Sequence, residues 1–183
     1  MESERRLIER ARSDEQAFLE LYTHYYPKLF GYLLVQTRQK ELAEDIAQDT
    51  FLKAIQGLKQ YEYRGASFGA WLFTIAKNTL ASHYRKQNRV HIAEPEELEL
   101  VGPIVPSSHE ALVGAEDEQV IKEKLRVLEQ GMQKLSEQER ELVSMKYIAD
   151  LSYDDIAKVF KKRPTTLAVQ MHRILKKLRG MTQ

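Results

Sequence analysis

Residues 88–118, NRVHIAEPEELELVGPIVPSSHEALVGAEDE, decide what the rest of the chain can build. They hold three prolines, two glycines and eight acidic residues against one arginine, a net charge of −7. No helical or strand period runs through them. Such a stretch cannot bury enough apolar surface to offset the entropy of ordering it. We read residues 89–117 as a flexible acidic linker, extended when free, and linkers this long usually separate domains. That leaves an N-terminal part, residues 1–88, and a C-terminal part, residues 118–183, each with room for only a small core. The formal charge of +1 for the 183-residue chain hides this split, since residues 1–87 carry +2 and residues 119–183 carry +6.

Both parts read as helical. Eight glycines and five prolines among abundant charged residues favour an all-α chain. Residues 2–11 give one or two helical turns. Asp14 is a plausible N-cap for a helix carrying Phe18, Leu21, Tyr22, Tyr25, Leu29, Phe30 and Leu33 at three- and four-residue steps. Pro27 should kink or break it. Tyr22, Tyr25 and Tyr26 could form a stacking platform, but such clusters more often pack a helical core. A helix from about Lys40 to Gly57 has Leu42, Ile46, Phe51, Leu52 and Ile55 as its expected buried stripe. Glu41, Glu44, Asp45, Gln48 and Asp49 lie on the other side. Asp45 and Asp49, one turn apart, repel by a few tenths of a kcal/mol. The face is either simply solvated or a dock for a basic partner.

Tyr61 to Gly69 is a loop by its glycines, and Ser67 can cap a helix reaching to about Lys86. One face of that helix holds Trp71, Thr74, Asn78, Ser82 and Arg85, with Lys77 and Lys86 alongside. Indole, amide, hydroxyl and guanidinium together suit unstacked bases and phosphate. Taken alone, the pattern slightly favours ordinary packing of Trp71 under a polar surface. After the linker, Glu118 to about Lys134 repeats a helical period through Val120, Ile121, Leu125, Leu128 and Met132.

Three short helices follow in residues 135–178. Ser136 with Glu139 and Ser152 with Asp155 are capping pairs, and Pro164 suits a first helical turn. Ile156, Val159 and Phe160 make the inner stripe of the middle helix. A tight turn, Lys161-Lys162-Arg163, leads into a helix bearing His172, Arg173, Lys176, Lys177 and Arg179. This is the layout of a DNA-reading helix-turn-helix, although the glycine often found in the turn is missing. A helical bundle with a solvated basic face remains the alternative.

Several chemistries are not supported. Without cysteine there is no disulfide framework, thiolate metal site or thiol nucleophile. No Gly-rich phosphate loop or H-E-x-x-H motif occurs, and the five histidines are scattered. We expect no catalysis, no cofactor, no metal and no small-molecule substrate. The N-terminus has no apolar signal-like core and no run is long enough to span a bilayer, so the expected location is the cytoplasm.

Three stretches in order, AEDIAQDTFLKAI (43–55), RGASFGAWLFTIAKNTL (64–80) and LSEQERELVSMKYIADLSYDDIA (135–157), resemble the extracytoplasmic-function (ECF) group of bacterial sigma factors. These are the promoter-specificity subunits of RNA polymerase. The likeness covers nearly all of residues 14–179. It implies two small helical domains: a region 2-like bundle (1–88) and a region 4-like helix-turn-helix domain (118–183). It implies that Asp45, Gln48 and Asp49 dock on core polymerase, with Phe51 in the core. It implies that Tyr63, Arg64, Ser67 and Phe68 in the loop, with Trp71, Lys77, Asn78 and Arg85 on the helix, recognise and melt the −10 element as a single strand. Duplex at −35 would be met by Arg163, Thr165, Thr166, Ala168, Val169, Gln170, His172, Arg173, Lys176 and Lys177. The acidic linker would thread a cation-lined channel of polymerase, and an anti-sigma factor would be a further partner.

Two departures bear on DNA preference. Ala168 and Gln170 stand where the family often has Lys and Arg, so two contacts to phosphate or guanine are absent. Ala168 and Val169 suit thymine methyls and Gln170 suits adenine, an A/T-leaning readout. Ser82 stands where an Asp is frequent, which bears on the −10 preference. Two other function classes stay open: a stand-alone helix-turn-helix regulator with its own N-terminal bundle, and a protein-binding helical adaptor.

Overall fold

The computed structural model describes residues 2–63, 65–90 and 131–180, and all regular structure among them is helical. The N-terminal half comprises α1 (Glu2–Ala11), α2 (Glu15–Thr37), α3 (Lys40–Leu58) and α4 (Phe68–Val90). The C-terminal half comprises α5 (Glu137–Tyr147), α6 (Tyr153–Phe160) and α7 (Pro164–Arg179). The linker from residue 91 onward, and the expected helix from Glu118 up to residue 130, lie outside the described residues.

The starts follow the capping residues. Asp14 accepts the Gln16 N–H at 2.9 Å and holds Arg10 at 3.1 Å. The Ser67 hydroxyl accepts the Ala70 N–H at 3.1 Å to open α4. At α5 both arms of the capping box form: Glu139 N–H to Ser136 Oγ at 3.3 Å, and Ser136 N–H to Glu139 Oε2 at 2.8 Å. At α6 only the hydroxyl arm forms, Asp155 N–H to Ser152 Oγ at 3.0 Å. Pro27 does not break α2, which continues through it to Thr37. Its ring is exposed, and the long run of buried residues on either side holds the helix together.

The two halves are packed on one another. A single cluster of buried residues runs from Ile8 and Leu21 through Leu33, Leu72 and Phe73 into Met145, Ile156, Leu167 and Ile174. Close approach is made possible by two glycines. A Cβ on Gly31 would stand 2.8 Å from Ile148 Cγ2, and one on Gly69 would stand 3.0 Å from Leu151 Cδ2. Polar contacts cross the same boundary. Gln36 donates to Ser144 Oγ at 2.8 Å, Tyr32 to Glu141 at 3.2 Å, and the Ser67 N–H to Asp155 Oδ1 at 3.1 Å. Burial beside Glu141 pushes the Tyr32 phenol well above its ordinary pKa.

Candidate nucleic-acid interface

The acidic face of α3 is built by what its opposite face buries. Ala43, Ile46, Ala47, Thr50, Phe51, Ala54 and Leu58 point inward, and Phe51 is gripped by the rings of Phe18, Tyr22 and Tyr26. Asp45, Gln48 and Asp49 are therefore exposed. Among the described residues neither aspartate has an ion-pair partner, whereas Glu44 meets Lys40 at 3.9 Å. The expected buried stripe needs one correction. Leu52 and Ile55 are outside it, 56% and 48% exposed. Three alanines let α3 sit close to its neighbours, and the large side chains flanking that narrow seam are left in solvent. The outer surface of α3 is thus an acidic patch continued by an apolar one. The spacing 45–48–52–55 was the available signal for it.

The loop and helix that follow divide their side chains between core and surface. Tyr63 is exposed, while Arg64 lies outside the described residues. Tyr61 is buried, its backbone carbonyl held by Arg12 at 2.6 Å, and burial raises its phenol to about 12. Phe68 corrects the expectation of a DNA-contacting side chain. It is 0% exposed, packed against Tyr25, Tyr61 and Trp71, and so braces the face from within. Trp71 is half-buried on Tyr61 and Phe68, with its ring over Gly57. Thr74 returns its hydroxyl to the Ala70 carbonyl at 2.7 Å. Asn78 and Arg85 are exposed, and Arg85 donates to Ser82 Oγ at 3.0 Å. Lys77 is turned toward the C-terminal half, where its ammonium meets Glu141 at 2.7 Å.

In the C-terminal half, Leu167, Met171 and Ile174 anchor α7. The opposite side leaves Arg163, Thr165, Thr166, Ala168, Val169, His172, Arg173, Lys176 and Lys177 exposed, and Gln170 half-exposed. Val169, at 52% exposure, is a large apolar side chain held out in solvent. Lys177 is tied to Glu139 at 3.1 Å. Lys161 takes the left-handed conformation, φ 53°, that closes α6 in place of a glycine. Lys162, which the sequence reading did not assign, lines a cleft of about 400 Å³ together with Gln170 and Arg173.

Among the described residues no group of three or more His, Asp or Glu could hold a metal ion, and no helix is long and apolar enough to cross a membrane.

Comparison with known proteins matches both halves. Residues 21–90 fit the sigma-70 region 2 family and residues 125–178 fit the sigma-70 region 4 family. The ECF RNA polymerase sigma factor BldN of Streptomyces coelicolor is 29% identical over 174 residues, 94% of this chain and 63% of BldN. The chain thus spans a little under two thirds of that relative. The RNA polymerase sigma factor YlaC of Bacillus subtilis is 31% identical over 160 residues, 84% of this chain and 85% of YlaC. Among solved structures, the sigma factor RpoE of Bartonella quintana, in complex with the anti-sigma factor NepR, has the same fold. It aligns at a TM-score of 0.69 with 24% identity, over 90% of this chain and 96% of that one.

Proposed function

Because the chain belongs to the RNA polymerase sigma factors, in their extracytoplasmic-function (ECF) group, we propose a division of labour among its exposed faces. The outer face of α3 docks on core polymerase, the α4 face takes the −10 strand and α7 reads the −35 duplex. The observation that carries this reading is the surface of α3. Asp45, Gln48 and Asp49 stand exposed beside Leu52 and Ile55. Exposed leucine and isoleucine are costly to leave in water, and with solvated carboxylates beside them they suit a basic partner with an apolar rim. A stand-alone regulator has no need of such a face.

On α4 and its loop, Tyr63, Arg64, Asn78 and Arg85 meet the strand directly. Trp71 offers the edge of a ring already seated on Tyr61, Ser67 fixes the start of the helix, and Lys77 holds a phosphate. On α7, Thr165, Thr166, Ala168, Val169 and Gln170 reach the bases, with an A/T-leaning preference. Arg163, His172, Arg173, Lys176 and Lys177 face the phosphates. The chain does no bond chemistry of its own, because polymerase supplies it, and it acts in the cytoplasm where polymerase works. An anti-sigma factor, such as accompanies the Bartonella protein, is its proposed regulator.

Run-off transcription tests the assignment, using purified core polymerase and pooled genomic fragments of the source organism. New discrete start sites should arise with the wild-type chain and fall at least about tenfold with Asp45→Arg or Asp49→Arg, with helicity unchanged. No new transcripts, together with tight duplex binding by the protein alone, would identify a stand-alone regulator.

A further inference from the structure

α1 precedes the residues that fit region 2, which begin at residue 21, and its sequence marks it only as a short helix. In the structure it is firmly seated. Ile8 and Ala11 are buried, and Arg10, in its last turn, meets Asp14 at 3.1 Å and Glu20 at 3.9 Å. One residue past its end, Arg12 donates to the backbone carbonyl of Tyr61 at 2.6 Å, across 49 residues of sequence. Near its other end, Glu4 accepts the phenol of Tyr25, whose ring lies 5.2 Å from that of Phe68. α1 thus reaches both ends of the loop between α3 and α4.

Tyr61 is the residue on which that loop turns. Its N–H donates to the Leu58 carbonyl at 3.2 Å and its hydroxyl to the Ala66 carbonyl at 3.2 Å. Its ring lies 4.9 Å from that of Trp71 and 5.9 Å from that of Phe68. The carbonyl is its remaining polar group, and Arg12 takes it. Between α1 and residues 61–63 there is a cleft of about 310 Å³, lined on the α1 side by Arg5, Ile8, Glu9 and Arg12. Side chains do not fill that gap, so a directed bond rather than close packing sets how far Tyr61 stands from α1. Tyr63, 48% exposed, follows two residues later, and Trp71 rests on the Tyr61 ring.

We propose that α1 braces the −10 loop and that Arg12 is a positioning residue for −10 recognition. By holding the Tyr61 carbonyl it fixes Tyr63 and Trp71 where an unstacked strand meets them. The inference rests on the sigma-factor reading of α4. Strand capture has to recover the cost of unstacking bases, and a face ordered beforehand loses none of its binding free energy to ordering itself.

The free chain gives the first test, because Trp71 is its sole tryptophan and reports on Tyr61. Arg12→Ala should shift the tryptophan emission to the red and raise its quenching by acrylamide, with helicity unchanged. Arg12→Lys, which keeps a charged donor, should stay close to wild type. Emission and quenching unaltered in Arg12→Ala would overturn the brace.

The second test uses the chain bound to core polymerase. Its probe is a single-stranded non-template −10 oligonucleotide from a start site mapped by run-off transcription. A hydrogen bond from a charged donor partly in water contributes about five- to tenfold to an equilibrium. Arg12→Ala should therefore weaken strand binding about fivefold, Arg12→Lys should restore most of it, and −35 duplex binding should not change. The salt dependence separates positioning from contact. It should keep the wild-type slope, whereas a slope lowered by about 0.7, one single-strand phosphate, would make Arg12 a direct contact and overturn the positioning role. Unchanged strand binding, or an equal loss at −35, would overturn it too. If the wild-type complex binds no strand while Arg12→Ala still loosens Trp71, the sigma-factor assignment fails and the brace stands.

Discussion

Two capping carboxylates in the C-terminal half show how one residue type serves different ends. Asp155 gives an oxygen to the N-terminal half, whereas Glu139 stays local. Glu139 accepts the Ser136 N–H and the Lys177 ammonium, and the Ser136 bond leads in holding its carboxyl below the usual range. A depressed folded pKa means that the stabilisation is present above the unfolded value, about 4.3. It is lost as the pH falls through the folded value. Glu139→Gln should therefore cost about 0.5 kcal/mol near neutral pH, and that cost should shrink below about pH 4 as the wild-type carboxyl protonates. Urea midpoints of both proteins between pH 3 and 7 measure it; a cost independent of pH would mean that charge plays no part in this cap. Ser136 and Glu139 were legible in the sequence because a cap is a local device, spelled in four residues. Phe68, Leu52 and Ile55 were not. Helical spacing shows which residues share a face, but the depth of the seam depends on side chains of other helices.

At the scale of elements, the helices were legible nearly to their ends, from caps, Pro164 and three-to-four spacing. Of the kink or break expected at Pro27, the break does not occur, because tertiary packing braces the helix on both sides and overrides the local signal. The α6–α7 turn is the reverse case. Its sequence lacks the usual glycine, and the chain forms the turn anyway by placing Lys161 at φ 53°. A non-glycine residue there costs about 1–2 kcal/mol, and glycine returns part of that through the unfolded state. Lys161→Gly should stabilise the protein by about 0.5 kcal/mol in urea titrations; destabilisation would show that the lysine makes a compensating contact. The α7 face makes a separate prediction. Its binding to −35 duplex should weaken with salt at a log-log slope of about −0.9 per phosphate neutralised. Arg173→Ala should reduce that slope by about one. An unaltered slope would place Arg173 away from the backbone.

The arrangement of the whole molecule was the least legible. Tyr32 and Glu141 are 109 residues apart, and Gln36 and Ser144 are 108 apart. In sequence each reads as an ordinary polar residue on its own helix. Only the fold shows that together they join two halves that the acidic linker would otherwise leave independent. That junction should make unfolding cooperative across the molecule, and its glycines allow it to be broken selectively. Gly31 has room for no Cβ against Ile148, and its position on the outer side of α2 at this boundary means that a larger residue wedges the halves apart before it disturbs either interior. Trp71, the sole tryptophan, reports on the N-terminal half, while far-UV circular dichroism reports on every helix. In the wild-type chain the two signals should be lost at the same urea concentration, as a two-state transition requires. In Gly31→Val they should separate, because the smaller C-terminal half loses the surface that completes its core and melts first. Coincident transitions in both proteins would mean that the halves stay coupled in the variant, and that the close approach at Gly31 is not what holds the junction together.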